Sequence, residues 1–233
     1  MRIRIVILIA LFFLCNQSMS QTHTSHFSRK IELNQIYNKN TGKLISEKEI
    51  LELQKTKKLH FEPVINKFGK IERYEIDPNQ TCNYSRIDTS KRTKRGDLFP
   101  PFVMKSIKSK TLDSEKFKGK YILLQFQFTF KEPFFIEKAF NEFEEIISEL
   151  NETKNVKGIF ISKSSTEESI EKINDKPYSF SIIADGRNFL EKYTIINSPT
   201  FILIDKSGNL KSYYTLLEMD KLKTDLKKII KTK

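Results

Sequence analysis

The chain has 233 residues, with 41 Lys and Arg against 29 Asp and Glu for a net charge of +12, and only seven glycines, three histidines and two cysteines. That length allows one full domain and a smaller appendage. The composition excludes an intramolecular disulfide framework, a Gly-rich phosphate loop and a histidine metal cluster, since His23, His26 and His60 are few and N-terminal.

Residues 1–20 read as a signal peptide. Arg2 and Arg4 form a basic n-region, Ile5 to Leu14 an apolar run, and Ser18-Met19-Ser20 a small-residue cleavage site before Gln21. The apolar run is too short to span a bilayer at about 1.5 Å per residue. Cys15 stands where a lipid acceptor would, but the bulky Phe12-Phe13-Leu14 precede it, so a membrane anchor there is not expected. The chain is expected in the periplasm or outside the cell. A basic excess attracts nucleic acid, anionic polymers or membrane surfaces. The lysines are scattered, with only Lys91-Arg92-Thr93-Lys94-Arg95 clustered, and no nucleic-acid partner is expected for an exported chain.

Residues 21–30 are a polar leader. Residues 31–76 form a small α+β module: a strand over Ile31 to Tyr37, a turn at Asn38 to Gly42, and a helix opened by the capping box Ser46…Glu49. Ile50, Leu51 and Leu53 lie on its apolar side. His60 to Ile65 and Ile71 to Ile76 flank Lys67-Phe68-Gly69-Lys70 as a hairpin. So small a module is expected to pack on the larger domain. Residues 77–95 are a linker, and residues 96–233 the main domain. Here the spacing predicts a short helix at Leu112 to Phe117, a strand at Tyr121 to Phe128, and a helix from Pro133 to Leu150. Pro133 falls in that helix's first turn, and Phe135, Ala139, Phe140, Phe143, Ile146, Ile147 and Leu150 supply its apolar stripe. A strand at Val156 to Ile161, a helix at Thr166 to Asn174, a strand at Phe180 to Ile183 and a helical turn at Phe189 to Tyr193 follow. Strands at Thr200 to Asp205 and Leu210 to Tyr214, then a helix from Met219, end the chain. The order β-α-β, then β-β-α, implies an α/β fold with a mixed sheet flanked by helices.

Two segments carry a resemblance: Leu124-Gln125-Phe126-Gln127-Phe128-Thr129-Phe130-Lys131-Glu132-Pro133-Phe134, and Asn197-Ser198-Pro199-Thr200-Phe201-Ile202-Leu203-Ile204-Asp205. Together they resemble the active-site strand and the opposing proline strand of a thioredoxin-like domain. The type is that of secreted bacterial thiol-disulfide reductases and alkyl hydroperoxide reductases. Gly96-Asp97-Leu98-Phe99-Pro100-Pro101-Phe102, the turn Lys118-Gly119-Lys120 and the hairpin Asp205-Lys206-Ser207-Gly208 resemble the same family. There the first segment reads roughly L-x-F-W-A-T-W-C-x-P-C. Phe130 then stands for the tryptophan, Lys131 and Phe134 for the two cysteines, and Pro133 for the proline between them. The resemblance implies a cis Ser198–Pro199 bond and a groove lined by Phe130, Ser198, Pro199 and Thr200. Pro199 either shapes the turn before its strand or keeps that groove for a peptide.

The dithiol chemistry of such a domain needs a thiolate at a helix N-terminus and a second cysteine to resolve the mixed disulfide. Lys131 instead puts a cation against the positive helix end, at a cost of about 0.3–1 kcal/mol. A catalytic amine there would need desolvation beside other cations. Phe134 is expected to point inward and join Phe126, Phe128 and Phe130 in a core built from nineteen phenylalanines and no tryptophan. No cysteine lies between Asn83 and Lys233 to serve a peroxidase. Cys82, the one thiol left after signal cleavage, is inert, an intermolecular disulfide partner or a reactive single thiol; the inert state is expected. Neither a metal nor a cofactor is expected. The sequence thus points to an exported, non-catalytic thioredoxin-like protein that binds or scaffolds another envelope protein or peptide. The alternative is a thiol-disulfide oxidoreductase active in cell redox homeostasis through Cys82. A third reading is a surface lipoprotein anchored at Cys15, with a polymer or membrane as its partner.

Overall fold

Ser46 and Glu49 close the capping box that their spacing predicts: the Ser46 hydroxyl accepts from the Glu49 amide at 3.3 Å, and the Glu49 carboxylate accepts from the Ser46 amide at 2.8 Å. The computed structural model describes residues 30–56, 58–80, 89–151, 155–174 and 176–231. The expected signal peptide with Cys15, the leader histidines His23 and His26, and Cys82 lie outside the described residues.

The N-terminal module comprises β1 (Ile36–Asn38), α1 (Glu47–Lys55), β2 (Glu62–Ile65) and β3 (Ile71–Ile76). Its sheet runs β1-β3-β2, with β1 parallel and β2 antiparallel to β3. The expected strand over Ile31 to Tyr37 is shorter, because Leu33–Gln35 turn as a 3-10 helix and only Ile36 onward reaches β3. Helix α1 buries no residue. Its capping box holds it locally, and it lacks the apolar anchoring that stabilises most helices.

The main sheet is built from β6 (Tyr121–Gln127), β7 (Val156–Ser162), β8 (Ser181–Ile183), β9 (Thr200–Ile204) and β10 (Leu210–Thr215), in the order β10-β9-β6-β7-β8. β6, β7 and β8 are parallel, and β9 is antiparallel to both β6 and β10. Strand β6 is buried along almost its whole length. Its Leu123 faces one core with α2 (Glu137–Asn151), α3 (Thr166–Ile173) and α5 (Met219–Lys231). Its Leu124 and Phe126 face a second core with α4 (Arg187–Lys192). Each buried Leu, Ile or Phe contributes about 1.5–3 kcal/mol. This is the mixed sheet flanked by helices that the resemblance implies.

The second core has a cover that the sequence pattern did not reveal. Strands β4 (Val103–Lys105) and β5 (Thr111–Asp113) form a hairpin that lays Met104 and Leu112 on the sheet. The helix expected at Leu112 to Phe117 is thus a strand followed by a 3-10 turn, Ser114–Phe117. Ser114 explains the switch: its amide donates to Phe102 O and its hydroxyl accepts from the Phe102 amide, both at 2.9 Å, which ties Leu112 into the hairpin.

Leu33–Lys233 cluster as one compact unit. The β2–β3 turn sits against α4, where Asn188 Nδ2 donates to Gly69 O at 2.8 Å and Lys192 Nζ donates to Asn66 O at 2.9 Å. Gly69 has φ +72°, and a Cβ there would lie 2.7 Å from the Phe189 ring. The first core carries a chain of rings: Phe130 on Phe160 at 5.1 Å, Phe160 on Phe140 at 4.9 Å, Phe140 on Phe180 at 5.3 Å.

Candidate functional site

Past Gln127 the chain leaves the sheet, and three hydroxyls take over from strand partners. The Phe128 amide donates to Ser198 Oγ at 3.0 Å, the Phe130 amide to Ser164 Oγ at 2.9 Å, and the Lys131 amide to Thr129 Oγ1 at 3.0 Å. Thr129 and Ser164 are themselves 3.1 Å apart, and the Ser164 amide donates to Ser162 Oγ at 3.1 Å. Short hydroxyl side chains suit this task because each can accept while its own proton turns elsewhere. The segment equivalent to a redox loop is therefore fixed by serine and threonine.

Lys131, Glu132, Pro133 and Phe134 form an exposed turn. The Phe134 and Phe135 amides both donate to Lys131 O at 3.0 Å, and the Glu132–Pro133 and Ser198–Pro199 peptides are cis. Helix α2 opens at Glu137, four residues later than its apolar pattern predicts, so Pro133 stands before it. Phe134 is not in the core: it is 50% exposed. Phe135 takes the inward place, its ring 5.2 Å from Phe130 and 5.6 Å from Phe140. The turn closed on Lys131 O decides this: it aims Phe135 at the ring cluster, which Ala139 and Phe143 continue once α2 has begun, and leaves Phe134 outside.

The Lys131 side chain is 69% exposed, and its Nζ lies 2.5 Å from Glu168 Oε1 in the first turn of α3. The hydrogen bond from Lys131 holds the Glu168 carboxyl below the usual carboxylate range, against a small opposing effect of burial. Exposed and ion-paired, Lys131 has neither the apolar enclosure nor the cationic neighbours that an amine nucleophile uses. On the other side of the loop, Lys163 Nζ lies over the Phe128 ring at 4.2 Å. Burial pushes the Lys163 ammonium's pKa down, Arg187 adds to that, and Glu191 opposes it.

The four residues that the resemblance assigns to a groove are mostly turned inward. Phe130 is in the ring cluster, Pro199 and Thr200 are buried, and Thr200 Oγ1 donates to Asn197 O at 2.8 Å. Ser198 is half-buried and already holds the Phe128 amide. What faces solvent here is the Lys131–Phe134 turn. Leu217, 96% exposed, lies two residues past Thr215, which pairs with Thr200 beside Pro199.

Two buried glutamines stand behind the site on β6. Gln127 bonds the backbone of Ile136, while neither polar atom of Gln125 has a hydrogen-bond partner among the described residues. A polar residue at alternate positions of a strand buried on both faces is the signal that marks them. No group of three or more His, Cys, Asp or Glu among the described residues could hold a metal ion. Nor is any helix of the described residues long and apolar enough to cross a membrane.

The sequence profile of the AhpC/TSA family matches residues 95–213. None of the curated proteins matches the chain. Among solved structures, a candidate thiol:disulfide interchange protein DsbE from Chlorobium tepidum is 16% identical, with a TM-score of 0.52 over 59% of this chain and 99% of that one. A candidate protein disulfide isomerase from Bacteroides thetaiotaomicron is 17% identical, with a TM-score of 0.50 over 60% of this chain and 91% of the other. The C-terminal domain of a candidate thiol-disulfide oxidoreductase from the same organism is 19% identical, with a TM-score of 0.50 over 60% and 99%. At these identities the likeness is one of fold.

Proposed function

The chain belongs to the AhpC/TSA family, and from that premise we propose an exported, non-catalytic member that binds another envelope protein or peptide through its Lys131–Phe134 turn. The matched residues contain no cysteine, so within them no thiolate can attack a disulfide or a peroxide. The observation that carries the reading is the exposure of Phe134, an aromatic ring held out to solvent on a turn fixed by hydroxyl bonds. Phe134 stands three residues from Lys131, whose ammonium pairs with Glu168, so an apolar contact and an ion pair lie together on this turn. Exposed aromatic residues amid charged neighbours are the usual anchors of a protein interface. The signal sequence at residues 1–20 supports a periplasmic or extracellular location.

The test has two arms on the mature chain. In an insulin-reduction assay with excess dithiol, the chain gives no turnover above buffer. Binding to a displayed library of envelope peptides falls at least tenfold in Phe134→Ser, with the far-ultraviolet spectrum unchanged. Turnover that disappears in Cys82→Ser would instead establish the oxidoreductase alternative.

A further inference from the structure

We propose that the end of the main sheet opposite the Lys131–Phe134 turn is a docking face for an anionic phospholipid bilayer. Three segments meet there. The Gly119 amide donates to Lys206 O at 2.9 Å, which joins the Lys118–Lys120 turn to the β9–β10 turn. Leu98 bridges to Asn209, and the Phe99 amide donates to Gly208 O at 2.9 Å, which brings the start of the main domain onto the same turn. A mainly apolar cleft of about 140 Å³ opens between them, lined by Leu98, Phe99, Pro100, Pro101, Ile122 and Ile204, with Lys118 and Glu115 as its charged lining residues.

Leu98 is 68% exposed at this cleft. Lys116, Lys118, Lys120 and Lys206 are exposed around it, with no carboxylate within salt-bridge distance among the described residues. The carboxylates at this end are held in turns or paired, and beside the Lys67–Glu115 pair the four lysines outnumber the three aspartates, which keep their charge. Glu115 pairs with Lys67 at 3.3 Å, and Asp205 Oδ1 accepts from the Ser207 and Asn209 amides, both at 2.9 Å. Asp113 Oδ1 accepts from the Glu115 amide at 3.0 Å, and Asp97 is the third aspartate. A solvated basic face accounts for the lysines but not for a leucine held out among them. A phosphate surface over an acyl layer matches both, because lysines gain from anionic head groups and an apolar tip gains from entering the interface. Nucleic acid offers phosphates without that apolar layer. Strand β6 begins at this face and ends at the candidate site, so its seven residues separate the two by about 20 Å. A chain resting on lipid by this end presents the Lys131–Phe134 turn away from the bilayer.

The test is co-sedimentation of the mature chain with phosphatidylcholine vesicles, with and without phosphatidylglycerol. Binding is expected on the anionic vesicles only, and raised salt reverses it. The triple variant Lys118→Glu, Lys120→Glu, Lys206→Glu abolishes it, at roughly fivefold or more per lysine. Leu98→Asp weakens it about tenfold. Both variants change exposed residues, and circular dichroism checks that the fold is kept. Lys138→Glu with Lys221→Glu, two exposed lysines elsewhere, leaves binding within about threefold. Three outcomes overturn the proposal: no enrichment on anionic vesicles, binding indifferent to Leu98→Asp, or equal retention of wild type and Leu98→Asp on heparin together with no response to vesicles.

Discussion

Gln127 holds both backbone groups of Ile136: its Oε1 accepts from the Ile136 amide at 2.9 Å, and its Nε2 donates to the Ile136 carbonyl at 3.2 Å. Ile136 is the residue before α2, where a helix leaves amides without intrahelical partners. A fully buried side chain on β6 therefore does the work of a cap and sets where the exposed turn ends. Gln127→Leu leaves the Ile136 amide without its acceptor in a dry environment and is expected to lower stability by about 1–3 kcal/mol in urea titration. An unchanged midpoint would show that the contact is incidental.

Gln125, two residues earlier on the same face, is the opposite case. It is fully buried between Phe160 and Phe201, and neither polar atom is bonded among the described residues. Replacing an unsatisfied buried amide by an apolar group of similar size removes a desolvation penalty. Gln125→Met is expected to raise stability by about 1–2 kcal/mol, read as a higher thermal midpoint.

Gly69→Ala tests how the N-terminal module is seated. A methyl group there would meet the Phe189 ring at 2.7 Å, on a backbone at φ +72° that side chains rarely adopt. Phe189 is buried and stacked on Tyr193, so it has little room to yield. A loss of about 1–3 kcal/mol is expected. Proteolysis should then cut faster between the module and the main domain.

Glu62 predicts an acid limb of stability. It pairs with Lys39 at 3.0 Å and Lys91 at 2.6 Å, joining the module to the residues that lead into the main domain. Burial alone would raise its pKa, but the hydrogen bonds from Lys91 and Lys39 outweigh it and hold the carboxyl below the usual range. A folded-state pKa below the unfolded one gives stability that is complete above the ordinary carboxylate pKa, about 4.3, and is lost as pH falls through the folded value. The same bond raises Lys39, so its contribution is complete below the ordinary lysine range and fades above it. Glu62→Gln is expected to flatten the acid limb of the unfolding midpoint between about pH 5 and pH 3. An identical profile would remove Glu62 from the account.

Lys131→Cys tests whether the site can still support a thiolate. The new sulfur would face the Glu168 carboxylate in place of an ammonium, and a neighbouring anion disfavours the thiolate. Its alkylation by iodoacetamide should report a pKa above about 8.5, the value of an ordinary thiol, and Lys131→Cys with Glu168→Gln should lower it. A low pKa in the single variant would show that Glu168 does not govern this position.

Much of this was legible because the sequence carries local signals with few solutions. The Ser46…Glu49 spacing marked a helix start, and the stripe from Phe135 to Leu150 marked a buried helix face. Apolar runs at Tyr121, Val156 and Thr200 marked buried strands. The site itself was harder to read. Phe134 and Phe135 are chemically identical neighbours, and only the turn closed on Lys131 O decides which enters the core. The β4–β5 hairpin has three-residue strands, too short for a period to show, and its pairing depends on Ser114 meeting Phe102. Ser164 and Ser198 reach the loop from distant positions, and no local pattern announces such contacts.

The ring cluster beneath the turn is made wholly of phenylalanine and tyrosine, with Phe140 at its centre, Phe130 beside it and no tryptophan anywhere in the chain. The protein therefore has no indole emission of its own, and excitation at the red edge of indole absorption spares its eight tyrosines. Any tryptophan-bearing peptide that settles against Phe134 would be the sole indole in solution. Its emission would shift to the blue as the ring leaves water, giving an unlabelled readout of docking on the native chain.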